Sequence, residues 1–385
     1  MAYLDHAATT PMRPEALETY IDCARHLGNA SSLHRAGREA RRRVEEARER
    51  LGAVLGAKPS EIVFTGSGTE ANNLAIKGLH WARRESGRNR ILSTSIEHHA
   101  VSDVVEWLRD HEQADVTTVG VDERAYIDVD SAVADIDNAP DEVTVVSTMS
   151  ANNEVGTIQN LGPVIAAAGA HGIPVHADAV QAIGHVPMSF SDSGLTALSL
   201  SGHKLGGPTG CGVLLLKRAT DITPLLHGGG QERDIRSSTL DVAGICALTK
   251  AADLAVTEQE AEERRLSALR DQLIERIQQI APDAILNGDP VNRLPGNVHF
   301  SFPGCEGDAL LMLLDAAGVE CATGSACSAG VAQPSHVLLA MGRSEDTARS
   351  SLRFSLGWST TQDDIDALAA ALPDAVKRAR SAGLS

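Results

Sequence analysis

The sequence predicts an α/β protein built on a mainly parallel sheet, followed by a smaller α+β unit. Three observations lead there. Through the first two-thirds of the 385 residues, short β-rich runs alternate with longer helical patterns, the alternation that builds a parallel sheet covered on both faces. The residues that carry chemistry cluster just after those β-rich runs, where such sheets bind ligands. Past about residue 255 the alternation gives way to a charged helix, isolated strands and a loop rich in Gly, Ser and Ala.

Taken in order, Ala36 to Val54 carries apolar residues at Ala40, Val44, Ala47, Leu51 and Val54, a helical stripe with Arg and Glu between. Glu61 to Phe64 reads as a strand that runs into Thr65-Gly66-Ser67-Gly68-Thr69, and a helix follows through Ile76. Further strands are expected at Arg90–Ser93, Val116–Val119, Val143–Ser147, Pro174–His176, Ala197–Leu200 and Gly212–Leu216, with helices near Val101–Asp110 and Pro163–His171 among them. In the last third, Glu258–Ile280 is a charged helix and Asn297–Phe302 a strand. A helix around Asp308–Ala317 precedes the small-residue loop, and Leu352–Ser355 separates two final helices. No repeat of 20–50 residues is visible.

Composition narrows the class. Apolar residues make up 43% and charged residues 22%, near the averages for globular proteins. No apolar run reaches the ~18 residues a membrane span needs, and Met1 to His6 lacks the basic start and apolar stretch of a signal peptide; a cytoplasmic location without membrane partners is expected. A net charge of −17 repels phosphate backbones, so direct nucleic-acid binding is not expected. The six cysteines, at 23, 211, 246, 305, 321 and 327, form no C-x-x-C pair, so neither a zinc site nor a disulfide framework is expected.

The chain has only six lysines, at 58, 77, 204, 217, 250 and 377. Lys204 differs from the others: it closes Ala197 to His203, where an apolar strand ends in small polar residues, and Leu205-Gly206-Gly207-Pro208 follows. A lysine there can be desolvated and reach a carbonyl carbon, as a Schiff base requires; a plain loop lysine is the competing reading. Asp178, after Pro174–His176, could pair with a protonated pyridine nitrogen or cap a helix. Gly66-Ser67-Gly68-Thr69 offers backbone N–H groups and a helix dipole to a phosphate. Ser95-Ile96-Glu97-His98-His99 brings imidazoles to the same sheet edge.

Together these segments resemble the cysteine desulfurases, enzymes dependent on pyridoxal 5'-phosphate (PLP) with the aspartate-aminotransferase fold. The resemblance runs through Tyr3-Leu4-Asp5-His6-Ala7-Ala8-Thr9-Thr10-Pro11, Gly28–His34, Phe64–Asn73, Asn152–Gly156 and Ser201-Gly202-His203-Lys204. It continues through His227–Glu232, Arg236–Leu240, Gly324-Ser325-Ala326-Cys327-Ser328 and Leu352–Gly357. It implies PLP-dependent transferase fold type I, with a large domain over 14–255 and a small domain made of 1–13 and 256–385. It also implies a homodimer.

By the same resemblance Lys204 forms the imine with the cofactor, Asp178 holds the pyridine nitrogen and Gln181 the phenolic oxygen. His98 stacks on the ring and serves as an acid/base. Gly68, Thr69, Ser201 and His203 hold the phosphate, with Thr239 arriving from the other subunit. Asn153 and Arg353 bind the substrate carboxylate, Arg353 as a bidentate fork. Val180, Gly206 and Thr209 depart from the family pattern.

Cys327, in a run of glycines and small residues with little to anchor it in a core, is the expected sulfur carrier; the Ser-Ala-Cys-Ser motif resembles the first desulfurase class. Cys23, Cys211 and Cys246 read as buried, and Cys305 as a turn residue. The implied reaction converts L-cysteine to L-alanine and leaves the sulfur as a persulfide on Cys327, for an acceptor protein in iron–sulfur assembly or a thiolation enzyme. The chain stops soon after its last helix, which raises routes such as DNA phosphorothioation. An aminotransferase or a selenocysteine lyase of the same fold is the alternative; transamination needs no thiol.

Overall fold

The structure is a computed structural model and describes residues 1–84, 86–324 and 333–382. Its centre is a seven-stranded sheet in the order Ile62–Thr65, Gly212–Leu216, Ala197–Ser201, Val175–Asp178, Val143–Met149, Arg90–Thr94 and Asp115–Val119. All pairings are parallel except those of Gly212–Leu216, which runs against both of its neighbours. The mainly parallel sheet expected from the strand–helix alternation is therefore present, with one reversed strand near an edge.

Successive side chains of a strand point to opposite faces, and the two faces here feed separate cores. Ile62 and Phe64, Leu92, Leu198 and Leu200, Val213 and Leu215 pack on one side with residues of the helices Arg35–Leu55 and Val242–Thr257. Val63, Ile91, Ala197, Leu214 and Leu216 pack on the other with the helices Gly68–Arg84 and His99–Glu112. The stripe read between Ala36 and Val54 is the buried face of Arg35–Leu55. That helix starts at His34, whose side chain accepts the Gly37 amide, and stops at Gly56 in the left-handed region, φ +62°.

A further core lies around the antiparallel strands Ser351–Ser355, Asn297–Ser301 and Ile285–Leu286, with the helices Gln259–Ile280, Gly307–Ala316 and Gln362–Ala382 against it. The chain's start joins this layer: Ala2–Tyr3 pairs in parallel with Val319–Glu320. The next residues cross to the large sheet, where the Thr10 amide donates to the His203 carbonyl. Cys305 closes a turn, its amide donating to the Phe302 carbonyl at 3.1 Å as expected for a turn residue, and its side chain, 6% exposed, packs into this core.

One buried ion pair ties the large sheet's edge to a distant loop. Glu232 is fully buried and takes two hydrogen bonds from Arg48, at 2.6 and 2.9 Å, and one from the Phe64 amide at 3.0 Å. Arg48 also donates to the Ile62 carbonyl and lies over the Phe64 ring. A charge removed from such a pair leaves its partner buried without compensation. Glu232→Ala is expected to cost about 3–5 kcal/mol, read as a lower urea midpoint; an unchanged midpoint would show that the pair contributes nothing to the fold.

Candidate active site

The carboxyl ends of the parallel strands open onto one cavity of about 510 Å³, within the roughly 300–1,000 Å³ usual for small-molecule sites. Each strand delivers its chemistry because the chain turns there: Thr65 leads to Gly68 and Thr69, Thr94 to His98, Met149 to Asn153, and Ser201 to His203 and Lys204. Asp178 is the last residue of its strand, which runs two residues beyond the expected Pro174–His176.

Lys204 ends the short turn Gly202–Lys204 and points its amine at the chain's first segment. Nζ donates to the Ala7 carbonyl at 2.5 Å and the Ala8 carbonyl at 2.7 Å. Burial lowers its pKa to about 8, with the Arg353 charge acting in the same direction and Asp5 and Asp178 against it. A solvated lysine titrates at about 10.4, so far more of this amine is neutral and nucleophilic at a given pH.

Asp178 is 7% exposed and each of its oxygens accepts one hydrogen bond: Oδ1 takes the Val180 amide at 2.9 Å and Oδ2 the Asn72 side-chain amide at 2.7 Å. Asn72 therefore fixes the carboxylate's plane, a role the sequence reading did not assign. Its signal was available, since Asn72 falls four residues after Gly68 on the helix that begins there, on the same face, and both line the cavity. Gln181 reaches the Ala7 carbonyl through Nε2 at 2.9 Å.

Gly68 opens the helix Gly68–Arg84, and a Cβ there would come within 3.0 Å of Val180 Cγ2 and 3.1 Å of Ser201 Cβ. Only a glycine keeps this corner clear, next to helix N–H groups that suit an anion. Glu70 accepts the Gly66 amide and is held by Arg236 at 2.7 and 3.2 Å, which keeps its carboxylate turned back to the loop. His203 lies against Thr9 Oγ1 at 3.2 Å, its pKa lowered to about 4 by burial and by Lys204.

Arg353, 5% exposed, extends from the strand Ser351–Ser355 into the cavity wall. Nη1 donates to the Asn153 carbonyl and Nη2 to Asp5 Oδ1, each at 2.9 Å, while Nε is buried without a partner among the described residues. The guanidinium is thus oriented by Asp5 and Asn153. Asp5 is the second positioning residue that the sequence reading left without a role. Ala322, which exchanges both backbone hydrogen bonds with Arg353, and Gly324 also line the cavity. Gly324 has φ +88°, and a Cβ there would come within 2.9 Å of His299 Nε2.

Thr239 is exposed and does not line the cavity of its own chain. Cys327 lies outside the described residues. Of the other cysteines, burial pushes Cys211, Cys246 and Cys321 up to about 12, which keeps them as thiols and poor nucleophiles. Among the described residues no His, Cys, Asp and Glu cluster suits a metal ion, and no helix is long and apolar enough to cross a membrane.

Residues 2–368 match the family model for class-V aminotransferases. The chain is 54% identical to the IscS-like cysteine desulfurase of Mycobacterium tuberculosis, over all of this chain and 98% of that protein. Among solved structures, a NifS-like protein superposes with a TM-score of 0.91 at 33% identity, covering 98% of this chain and all of that one. SspA in complex with cysteine superposes at 0.79 with 31% identity, over 92% and 99%. The fold and cavity define a class-V aminotransferase, a PLP-dependent enzyme of fold type I, and within that class the chain belongs to the IscS/NifS-like cysteine desulfurases.

The lowered pKa of Lys204 gives a pH test. An amine of pKa about 8 is protonated and inert below that pH and neutral above it. Reductive labelling of the cofactor-free protein with a small aldehyde should reach half its maximum at Lys204 near pH 8, read by peptide mass spectrometry. Labelling that follows a solvated lysine, at about 10.4, would show that the amine is not desolvated.

Proposed function

We propose that this chain is a cysteine desulfurase that binds PLP through Lys204 and moves sulfur from L-cysteine to Cys327. The observation that carries the reading is the meeting, in one cavity, of a buried amine of lowered pKa, a fixed carboxylate at Asp178 and an arginine held in place by Asp5 and the Asn153 carbonyl.

The residues fit the cofactor. The glycine-cleared helix start at Gly68 and Thr69, with Ser201 and His203, would take the phosphate. Asp178 would face the pyridine nitrogen, Gln181 the phenolic oxygen, and His98 the ring; Thr239 would come from a second protomer. When bound, PLP supplies an electron sink that lowers the cost of negative charge at the substrate's Cα. Asn72 keeps Asp178 aimed, so that its charge is available to that sink.

Arg353, steadied by Asp5 and the Asn153 carbonyl, would receive the substrate carboxylate through its remaining donors. Lys204, once free, is placed to take the Cα proton, and its lowered pKa suits a base working near neutrality. The two carbonyls of Ala7 and Ala8 give the protonated amine a place to rest. The Cys327 thiolate would then take the substrate sulfur, leaving L-alanine as the product and a persulfide for an acceptor protein. The M. tuberculosis relative is named for the IscS type, which favours an iron–sulfur scaffold as acceptor over the phosphorothioation route.

Cys327→Ser is expected to abolish sulfide and alanine release from L-cysteine, while the visible absorption of the cofactor-loaded protein persists. Full turnover by that variant would remove Cys327 from the reaction.

A further inference from the structure

Residues 325–332, which include Cys327, lie outside the described residues, and the chain on either side of them meets one side chain, Glu154. After the segment, Ser335 Oγ donates to Glu154 Oε2 at 2.5 Å. Before it, a Cβ built on Gly324 would stand 3.6 Å from that same oxygen. His299 closes Gly324 in from another side, its Nε2 only 2.9 Å from that Cβ position. The chain between Gly324 and Ser335 therefore leaves from and returns to the neighbourhood of one carboxyl group, with Cys327 three residues from its start.

Glu154 is a rigid anchor. It is 3% exposed, and its backbone is held at both groups: the amide donates to Asn152 Oδ1 and the carbonyl accepts from Asn297 Nδ2, each at 2.9 Å. Asn152 is in turn tied to the Ile96 carbonyl. Ser335 is 1% exposed, and its Oγ also accepts the Leu338 amide at 3.1 Å. The hydroxyl that meets Glu154 is thus the cap of the helix His336–Ala340, whose Val337 and Leu338 pack with Ile96, Met149 and Val155. A buried carboxyl that lost this hydroxyl would be left without a partner it needs.

The turn that carries Glu154 also sets Arg353. The carbonyl of Asn153, one residue earlier, accepts from Arg353 Nη1 at 2.9 Å. One turn thus steadies the arginine read as the holder of the substrate carboxylate and, at the next residue, the far end of the chain that carries the thiol. Sulfur transfer needs these two in register, since a displacement of about 1 Å can slow a reaction about 100-fold.

We propose that Glu154 is a positioning residue for sulfur transfer: through Ser335 it fixes the base of the segment that carries Cys327 in the frame that also holds Arg353. The inference rests on the cysteine desulfurase reading above. In this role Glu154 gives and takes no proton; it supplies an acceptor at the right place.

Two substitutions separate the anchor from the burial. Glu154→Gln keeps the length and an oxygen for Ser335, whereas Glu154→Leu keeps a similar volume and has no acceptor. On the cofactor-loaded enzyme, Glu154→Leu is expected to lower kcat for alanine release from L-cysteine by about 100-fold. KM and the cofactor's absorption should stay unchanged, and Glu154→Gln should keep kcat near the wild-type value. Ser335→Ala removes the donor from the other side; it should lower kcat too, and cost little more when added to Glu154→Leu.

Elastase cleavage of the loaded protein between Gly324 and Ser335, mapped by peptide mass spectrometry, gives a readout independent of turnover. It should be faster in Glu154→Leu and Ser335→Ala and unchanged in Glu154→Gln. Wild-type kcat or wild-type cleavage in Glu154→Leu would overturn the proposal, as would a Glu154→Gln variant equally impaired. Should Glu154→Leu fail to load the cofactor, Ser335→Ala carries the same test, and wild-type kcat there is the overturning result. A wild-type protein that releases no alanine overturns the desulfurase reading instead, and the cleavage rates then decide the anchor by themselves.

Discussion

The site depends on keeping one amine out of water where the parallel strands end. A buried ammonium is costly, and the protein offsets part of that cost with the two carbonyls of Ala7 and Ala8 rather than with a carboxylate in contact. A close carboxylate would have held the proton and raised the pKa. Carbonyl dipoles tolerate the charge without fixing it, and the pKa settles at about 8. Around this amine the other groups make sense as supports: Asn72 holds Asp178, Asp5 and Asn153 hold Arg353, and Gln181 holds the Ala7 carbonyl that Lys204 uses.

This arrangement couples the chain's first residues to the chemistry. Ala2–Tyr3 belongs to the layer that carries Arg353, and Thr10 is bonded to His203 on the large sheet. Asp5, Ala7 and Ala8 lie between, and they touch both the substrate-binding arginine and the lysine. The segment that joins the two layers is therefore also a wall of the cavity. Any shift of one layer on the other would be felt at the amine and the guanidinium together.

Much of this was legible in the sequence, for identifiable reasons. Strands such as Gly212–Leu216 and Ala197–Ser201 are short apolar runs bounded by glycine or polar residues, and alternation fixed their place in a sheet. That Gly212–Leu216 runs backwards was not legible, because direction is set by long-range pairing with Thr65 and Ser201. Lys204, Asp178 and His98 stood out because their side chains do chemistry at strand ends. Asn72 and Asp5 did not, because an amide or a carboxylate that orients another side chain has no motif of its own; its meaning appears only when residues 106 or 348 positions apart meet. The Gly-Cys-Glu run marked a turn at Cys305, which is there, but not that the turn folds its side chain over a core.

The most direct measurement is to load the protein with pyridoxal 5'-phosphate, reduce it with borohydride and map the adduct by peptide mass spectrometry. The account requires a single pyridoxyl group on Lys204, absent in Lys204→Ala. An adduct spread over the exposed lysines, with Lys204 unmodified, would contradict it.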